Sequence, residues 1–208
     1  RVNALDPDVV MIAGDFTYWL AAEKFADSFA ALGDIEAPVF AVMGNHDVGL
    51  PGPNVEAPLT ATLEASGVTV LSDALTTIEA GGARLEIAGL SDLWAENQKL
   101  TLLEKRGDLP RLVLTHNPAT IRTLPPRQSV DLMIAGHTHG GQINLPVITC
   151  AFFPSMCRLT LGGLVQTERG PVFVSTGTGM VILPMRLNAA PRIDLIDLSY
   201  KACSLAVR

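Results

Sequence analysis

The chain has 208 residues, of which 48% are hydrophobic and 17% charged, enough apolar material for one buried core and too much for intrinsic disorder. Its formal net charge is −6 and its Lys and Arg residues are scattered, so nucleic-acid binding by phosphate neutralisation is not expected. No apolar run reaches the roughly 18 residues of a membrane span, and a chain starting at Arg1 says nothing about an upstream targeting segment. Residues 1–208 read as a single domain. Cys150, Cys157 and Cys203 are an odd set without paired spacing. They read as buried free thiols, although Cys150 and Cys157 are close enough along the chain to pair.

Residues 8–13 (DVVMIA) read as a buried strand ending at Gly14, and 20–32 carry apolar residues at helical spacing. Residues 38–43 (PVFAVM) form a second strand, ending at Gly44, and 58–65 a helix. Strands follow at 68–71 and 85–90, with a turn at Gly81-Gly82 between them. A helix is expected over 97–105, a strand over 111–115, a short helix over 118–124 and a strand over 131–135, ending at Gly136. Two more strands lie near 172–175 and 193–198. Continuous apolar strands alternating with helices imply an α/β protein whose sheets are covered on both faces.

The histidines are His46, His116, His137 and His139, and each follows one of these strand ends. Their settings are Gly44-Asn45-His46-Asp47, Thr115-His116-Asn117 and Gly136-His137-Thr138-His139, and Gly14-Asp15 follows the first strand. Sites in open α/β sheets form beyond the carboxyl ends of strands. Imidazole, carboxylate and amide oxygen are ligands for divalent metals, and a carboxylate such as Asp15 can bridge two ions. His-x-His on an extended segment sends both rings to one side. Two ions about 3.5–4 Å apart can polarise a phosphoryl group and activate water near neutral pH, which an acidic protein can use because the ions supply the positive charge. Each fragment alone is a common turn or a core histidine; the ordered set is what carries the argument.

In order and spacing, Gly14-Asp15, Gly44-Asn45-His46-Asp47, His116 and Gly136-His137-Thr138-His139 resemble the calcineurin-like metallophosphoesterase pattern. The text Gly136 to Gln142 with Leu145-Pro146, and the segment from Gly177-Thr178-Gly179 to Pro184-Met185-Arg186, look like a bacterial phosphodiesterase branch whose members are often membrane-associated. The resemblance implies a two-sheet α/β/β/α sandwich. It implies that Asp15 bridges two metals, that Asn45, His116 and His137 complete one site, and that His139 serves the other. The ions would be Mn, Fe or Zn. His46 would stabilise the transition state and protonate the leaving oxygen. The family pattern opens with Asp-x-His on a strand ahead of Gly-Asp, and this sequence has none. The chain is therefore expected to lack the first strand, with one metal site retaining only Asp15 and His139.

Several residues stay open between two readings. Asp47 orients His46 or is an exposed turn residue; Asn117 caps the helix at Pro118 or meets substrate. The apolar segment 147–156 touches lipid or an apolar substrate, or packs in the core. Trp19 walls the cleft or anchors a helix, and Arg186 meets a phosphate or makes a surface salt bridge.

The function implied is hydrolysis of a phosphodiester by a metal-bridging hydroxide. One alternative is a phosphomonoesterase or pyrophosphohydrolase acting on a nucleotide-linked lipid precursor, and another is a non-catalytic metal-binding module. The partners implied are a phosphate-ester substrate and a peripheral membrane contact, in a bacterial protein that is cytoplasmic or membrane-associated.

Overall fold

The computed structural model describes residues 1–104, 107–145, 147–152, 154–199 and 206–207. Lys105, Pro146, Phe153 and Cys203, each part of a reading above, lie outside the described residues.

Two sheets face each other. The first is parallel, with order β1 (Val10–Ile12), β2 (Val39–Ala41), β3 (Val68–Val70). The second has six strands in the order β4-β5-β6-β7-β9-β8, formed by Ala74–Ala80, Ala83–Gly89, Arg111–Leu114, Leu132–Ala135, Gly170–Val174 and Gly163–Thr167. Strands β5, β6, β7 and β9 run parallel, and the hairpins β4–β5 and β8–β9 close its two edges. The architecture is the expected metallophosphoesterase-type sandwich.

Alternation along each strand builds three apolar layers. Val39, Ala41 and Met43 turn outward onto helices α1 (Phe25–Phe29) and α2 (Glu56–Ala65), meeting Phe25, Leu59 and Leu63. Phe40 and Val42 turn inward, onto Ile87 and Leu114 of the second sheet. Val113, Met133 and Val172 face away from the sandwich and are covered by Leu103, Ile121 and Leu124.

Strands β4 and β8 are additions to the expected set. Both are outer partners of hairpins with alternating burial, so neither carries a continuous apolar run. Gly81 and Gly82 make the β4–β5 turn with positive φ (56° and 73°). The helical segments are more broken than expected. Residues 20–32 contain α1 between two 3-10 turns, Ala22–Lys24 and Ala30–Asp34. The segments at 97–105 and 118–124 give 3-10 turns Leu100–Leu103 and Pro118–Arg122.

The reading of buried free thiols is corrected. Cys150 ends up exposed and bonded to Cys157, because consecutive helices Ile148–Phe152 and Pro154–Cys157 (α3 and α4) fold back and bring the two Cα atoms to 5.5 Å.

Candidate metal centre

The loops after β1 and β2 touch through glycine. A Cβ on Gly14 would sit 2.5 Å from the Gly44 nitrogen, and one on Gly44 would strike the Asp15 carboxylate. Gly14 also has φ of 81°, so the close approach and the backbone both require glycine here. Asp15 and His137 hold φ of 56° and 68°, a costly conformation for non-glycine residues that points to a constrained site.

Asp47 holds this junction together. It is fully buried. One carboxylate oxygen accepts from the backbone N–H groups of Asp15 (2.8 Å), Gly44 (2.9 Å) and Phe16 (3.3 Å). The other accepts from Thr17 N–H at 3.1 Å and its hydroxyl at 3.4 Å. The exposed-turn reading of Asp47 is corrected: it is buried and binds backbone N–H groups of both loops, Asp15, Phe16 and Thr17 on one and Gly44, two residues before His46, on the other. Asp15 in turn accepts from the His46 N–H at 3.0 Å, so the two loops are reciprocally bonded.

The loops after β6 and β7 bring in His116 and His137. His116 Nδ1 lies 2.6 Å from the Ala13 carbonyl and donates to it, so in the neutral ring Nε2 carries the lone pair. That lone pair lies 3.1 Å from Asn45 Oδ1, 3.0 Å from His137 Nδ1 and 3.2 Å from Asp15 Oδ2. His137 Nδ1 is also 3.0 Å from Asn45 Oδ1. The Asn45 amide is oriented by donating to the Leu50 carbonyl at 2.6 Å, so its oxygen is the atom that faces the cluster. Asp15, His116 and His137 offer ligand atoms within 4.8 Å of one another. Lone pairs crowded together in this way repel unless a proton or a metal cation sits among them, and imidazole, carboxylate and amide oxygen suit a divalent ion.

The titration behaviour fits that chemistry. Burial pushes the Asp15 carboxyl up, but the hydrogen bond and charge of His116 outweigh it and the net direction is down. Burial pulls His116 down, yet Asp15 overcomes this and the net direction is up, a proton occupying the cation's place. Burial and the neighbouring His116 charge press His137 down to about 3, leaving it a neutral ligand.

Other residues take distinct places. His46 is half-buried beside the centre, with Tyr18 edge-on at 5.0 Å. Trp94 meets His137 edge-on at 4.8 Å. His139 stands outside the three-residue group; Thr138 is helical (φ −76°, ψ −18°), so the expected extended His-x-His geometry does not form. Its buried Nδ1 has no hydrogen-bond partner, and burial followed by the Arg186 charge lowers its pKa. Asn117 caps the turn at Pro118, accepting from Ala119 N–H at 3.0 Å. Trp19 is 63% exposed, and its ring lies beside Gly52. Arg186 meets carbonyls: it donates to those of His139 (3.0 Å), Ala189 (3.0 Å), Thr176 (2.9 Å) and Gly179 (2.9 Å), tying the 176–189 loop to the centre.

Asp92 is the residue that the sequence reading missed. It follows β5 by three positions, is buried, and senses the charges of His116 and Asp15. Its position just beyond a strand's carboxyl end was the available signal.

The calcineurin-like phosphoesterase family profile matches residues 1–141. Phosphodiesterase YaeI of Escherichia coli is 32% identical over 195 residues, covering 92% of this chain and 70% of that protein. The Bacillus subtilis metallophosphoesterase YkuE is 32% identical over 208 residues, with 95% and 70% coverage. A Bos taurus transmembrane protein with a metallophosphoesterase domain is 32% identical over 216 residues, 95% of this chain but 47% of that protein. Among solved structures, the sulfate thiohydrolase SoxB of Thermus thermophilus superposes with a TM-score of 0.57 at 14% identity, over all of this chain and 40% of that one. NAD nucleotidase of Haemophilus influenzae gives 0.54 at 15%, over 96% and 40%. These two show the shared fold, and the chain spans well under half of either. The chain belongs to the calcineurin-like phosphoesterase family, whose members are metal-dependent hydrolases of phosphate esters.

Proposed function

We infer that the chain hydrolyses phosphodiesters at a two-ion centre. The observation that carries this is the convergence of Asp15 Oδ2, Asn45 Oδ1, His116 Nε2 and His137 Nδ1, with contacts of 3.0–3.2 Å among them. Asp15, Asn45, His116 and His137 would hold one ion, and Asp15 with His139 would contribute to the other. Bound divalent ions supply the activated water and the positive charge that phosphoryl transfer needs. Asp47 holds the Asp15 loop, and Trp94 limits the swing of the His137 ring. His46 protonates the departing oxygen, a step suited to imidazole at the rim of a site. The choice of diester over monoester follows the similarity to the Escherichia coli phosphodiesterase.

The test is hydrolysis of bis(p-nitrophenyl) phosphate in Mn²⁺ beside p-nitrophenyl phosphate, with Asn45→Ala and His116→Ala run in parallel. Diester turnover by the parent chain, reduced about a hundredfold or more in both variants, is expected. A clear preference for the monoester sinks the diesterase assignment. Variants as active as the parent sink the metal centre.

Peripheral membrane contact has its own support. Val147 (84% exposed), Phe152 (77%) and Ile182 (78%) are joined by exposed Ile148, Leu183 and Met185 on adjacent segments. Both segments hang on residues 142–143: the Gln142 amide donates to the Val181 and Leu183 carbonyls, and the Thr149 hydroxyl donates to the Ile143 carbonyl. An apolar surface of this kind suits insertion among lipid acyl chains. Among the described residues no helix is long and apolar enough to cross a membrane. Co-sedimentation with phosphatidylcholine vesicles, lost in a Phe152→Glu/Ile182→Glu variant, is the expected result; parent protein left in the supernatant refutes it.

A further inference from the structure

A cavity of about 250 Å³ lies between the loop that follows β2 and the turn that follows β5. That is the liquid volume of roughly eight waters, room for a small head group and too little for a polymer strand. It adjoins the metal centre, whose four ligand residues lie outside its lining. Leu50, which lines it, is the residue whose carbonyl fixes the Asn45 amide. The turn that carries Asp92 also carries Trp94, the ring against His137.

The polar groups on its wall are unequally occupied. The Ser91 hydroxyl donates to Asp73 at 2.9 Å and meets the Ser72 hydroxyl at 3.1 Å. Asp92 differs. It is 1% exposed; one carboxylate oxygen accepts from the Trp94 N–H at 2.8 Å, and the other has no hydrogen-bond partner. A buried carboxylate oxygen left without a donor is costly. Glu56 is the other charged residue of the lining, which contains no Lys, Arg or His. Neither carboxylate belongs to a three-residue ligand group among the described residues, so a metal ion would lack its ligands here. An organic cation that brings its own N–H donors matches both the charge and the missing partner.

We propose that this cavity receives the ammonium-bearing substituent of a phosphodiester whose phosphate lies at the metal centre, with Asp92 as the specificity-determining acceptor. The substrate class is therefore phosphodiesters of amino alcohols. This deepens the phosphodiesterase reading and rests on it for the turnover part of the test.

Two measurements separate the proposals. The first compares kcat/KM for the p-nitrophenyl diester of phosphorylethanolamine with that of p-nitrophenyl propyl phosphate, its neutral counterpart. The parent chain should favour the ammonium diester about tenfold or more, and Asp92→Asn, which keeps an oxygen for the Trp94 N–H, should bring the ratio close to one. Ala95→Leu, which fills the cavity from another wall residue, should do the same if the Asp92 variant folds poorly. The second needs no catalysis: ethanolamine and 1-propanol are titrated into the 15N-labelled protein. Saturable shifts at the Ser91, Asp92 and Asn97 amides with ethanolamine alone, lost in Ala95→Leu, are expected. If both diesters are inert but ethanolamine binds in this way, the cavity stands and the phosphodiesterase reading falls. Turnover without discrimination, or a preference that survives both substitutions, overturns the cavity assignment, as does an equal response to the two titrants.

Discussion

Replacing Asp47 by Asn tests whether the Asp15 loop is built on one buried carboxylate. The amide keeps the shape of the side chain but has a single acceptor oxygen. Placed where Asp47 now accepts from Asp15, Gly44 and Phe16, it retains those three bonds without charge assistance. The amide nitrogen then faces the Thr17 N–H, which loses its acceptor inside the protein. An orphaned buried N–H costs about 1–3 kcal/mol. Loss of charge at the remaining bonds adds on the order of 1–2 kcal/mol. The sum, roughly 2–5 kcal/mol, is a large part of the 5–15 kcal/mol that typically holds a domain folded. Thermal unfolding should shift by roughly 2–4 °C for each kcal/mol in a chain of this size. Because the Asp15 carboxylate is carried on the weakened loop, Mn²⁺ affinity should drop about 10–100-fold, the range for partners that orient ligands. Differential scanning calorimetry and isothermal titration with Mn²⁺ read both numbers. A variant that melts with the parent chain and binds Mn²⁺ equally well would falsify the role given to Asp47.

Mn²⁺ affinity should fall with acidification, because a proton on His116 Nε2 must leave before a cation binds there. The pKa of His116 is raised above 6.5, so the competition begins above the ordinary histidine range and steepens to about tenfold per pH unit below it; a Kd that is flat from about pH 8 to about pH 6 refutes this. Arg186→Lys should loosen the 176–189 loop, since an ammonium cannot serve four separate carbonyls; faster proteolysis within the loop is the expected sign, and an unchanged digestion pattern counts against it. Cys150→Ser should cost at most roughly 2–3 kcal/mol in urea titrations under non-reducing conditions, as the Cys150–Cys157 bond closes a loop with a sequence separation of 7. Parent and variant unfolding together without reductant would show that the bond does not form.

The ligand cluster was legible because the strands that carry it are short apolar runs ending in polar residues. The β1, β2, β6 and β7 ends deliver Asp15, Asn45, His116 and His137 where such a pattern places them. What escaped were features set by the other side of a contact. Strand β4 is half exposed, so its Thr and Glu residues mask it as a loop until β5 pairs with it. Asp92 follows Ser91 and has no Gly or His beside it to mark it, and only the cavity reveals that one of its oxygens is unpartnered. Asp47 sits in a recognisable motif, but three of the N–H groups it binds are about thirty residues away in sequence. The His-x-His pair was legible as residues but not as backbone: Thr138 is helical and a 3-10 turn begins at His139, so the segment is not extended.

Asp15 and Asn45 descend from the three-stranded sheet, His116 and His137 from the six-stranded one. An ion held by these residues is therefore a clasp across the seam of the sandwich. Within each sheet the strands are laced by backbone hydrogen bonds, whereas the seam is closed mainly by apolar contact among Phe40, Val42, Ile87 and Leu114. Chelation should leave the lacing intact and let the seam breathe at its ligand-bearing end. Each added ion pulls the halves together, so occupancy and cohesion rise as one quantity.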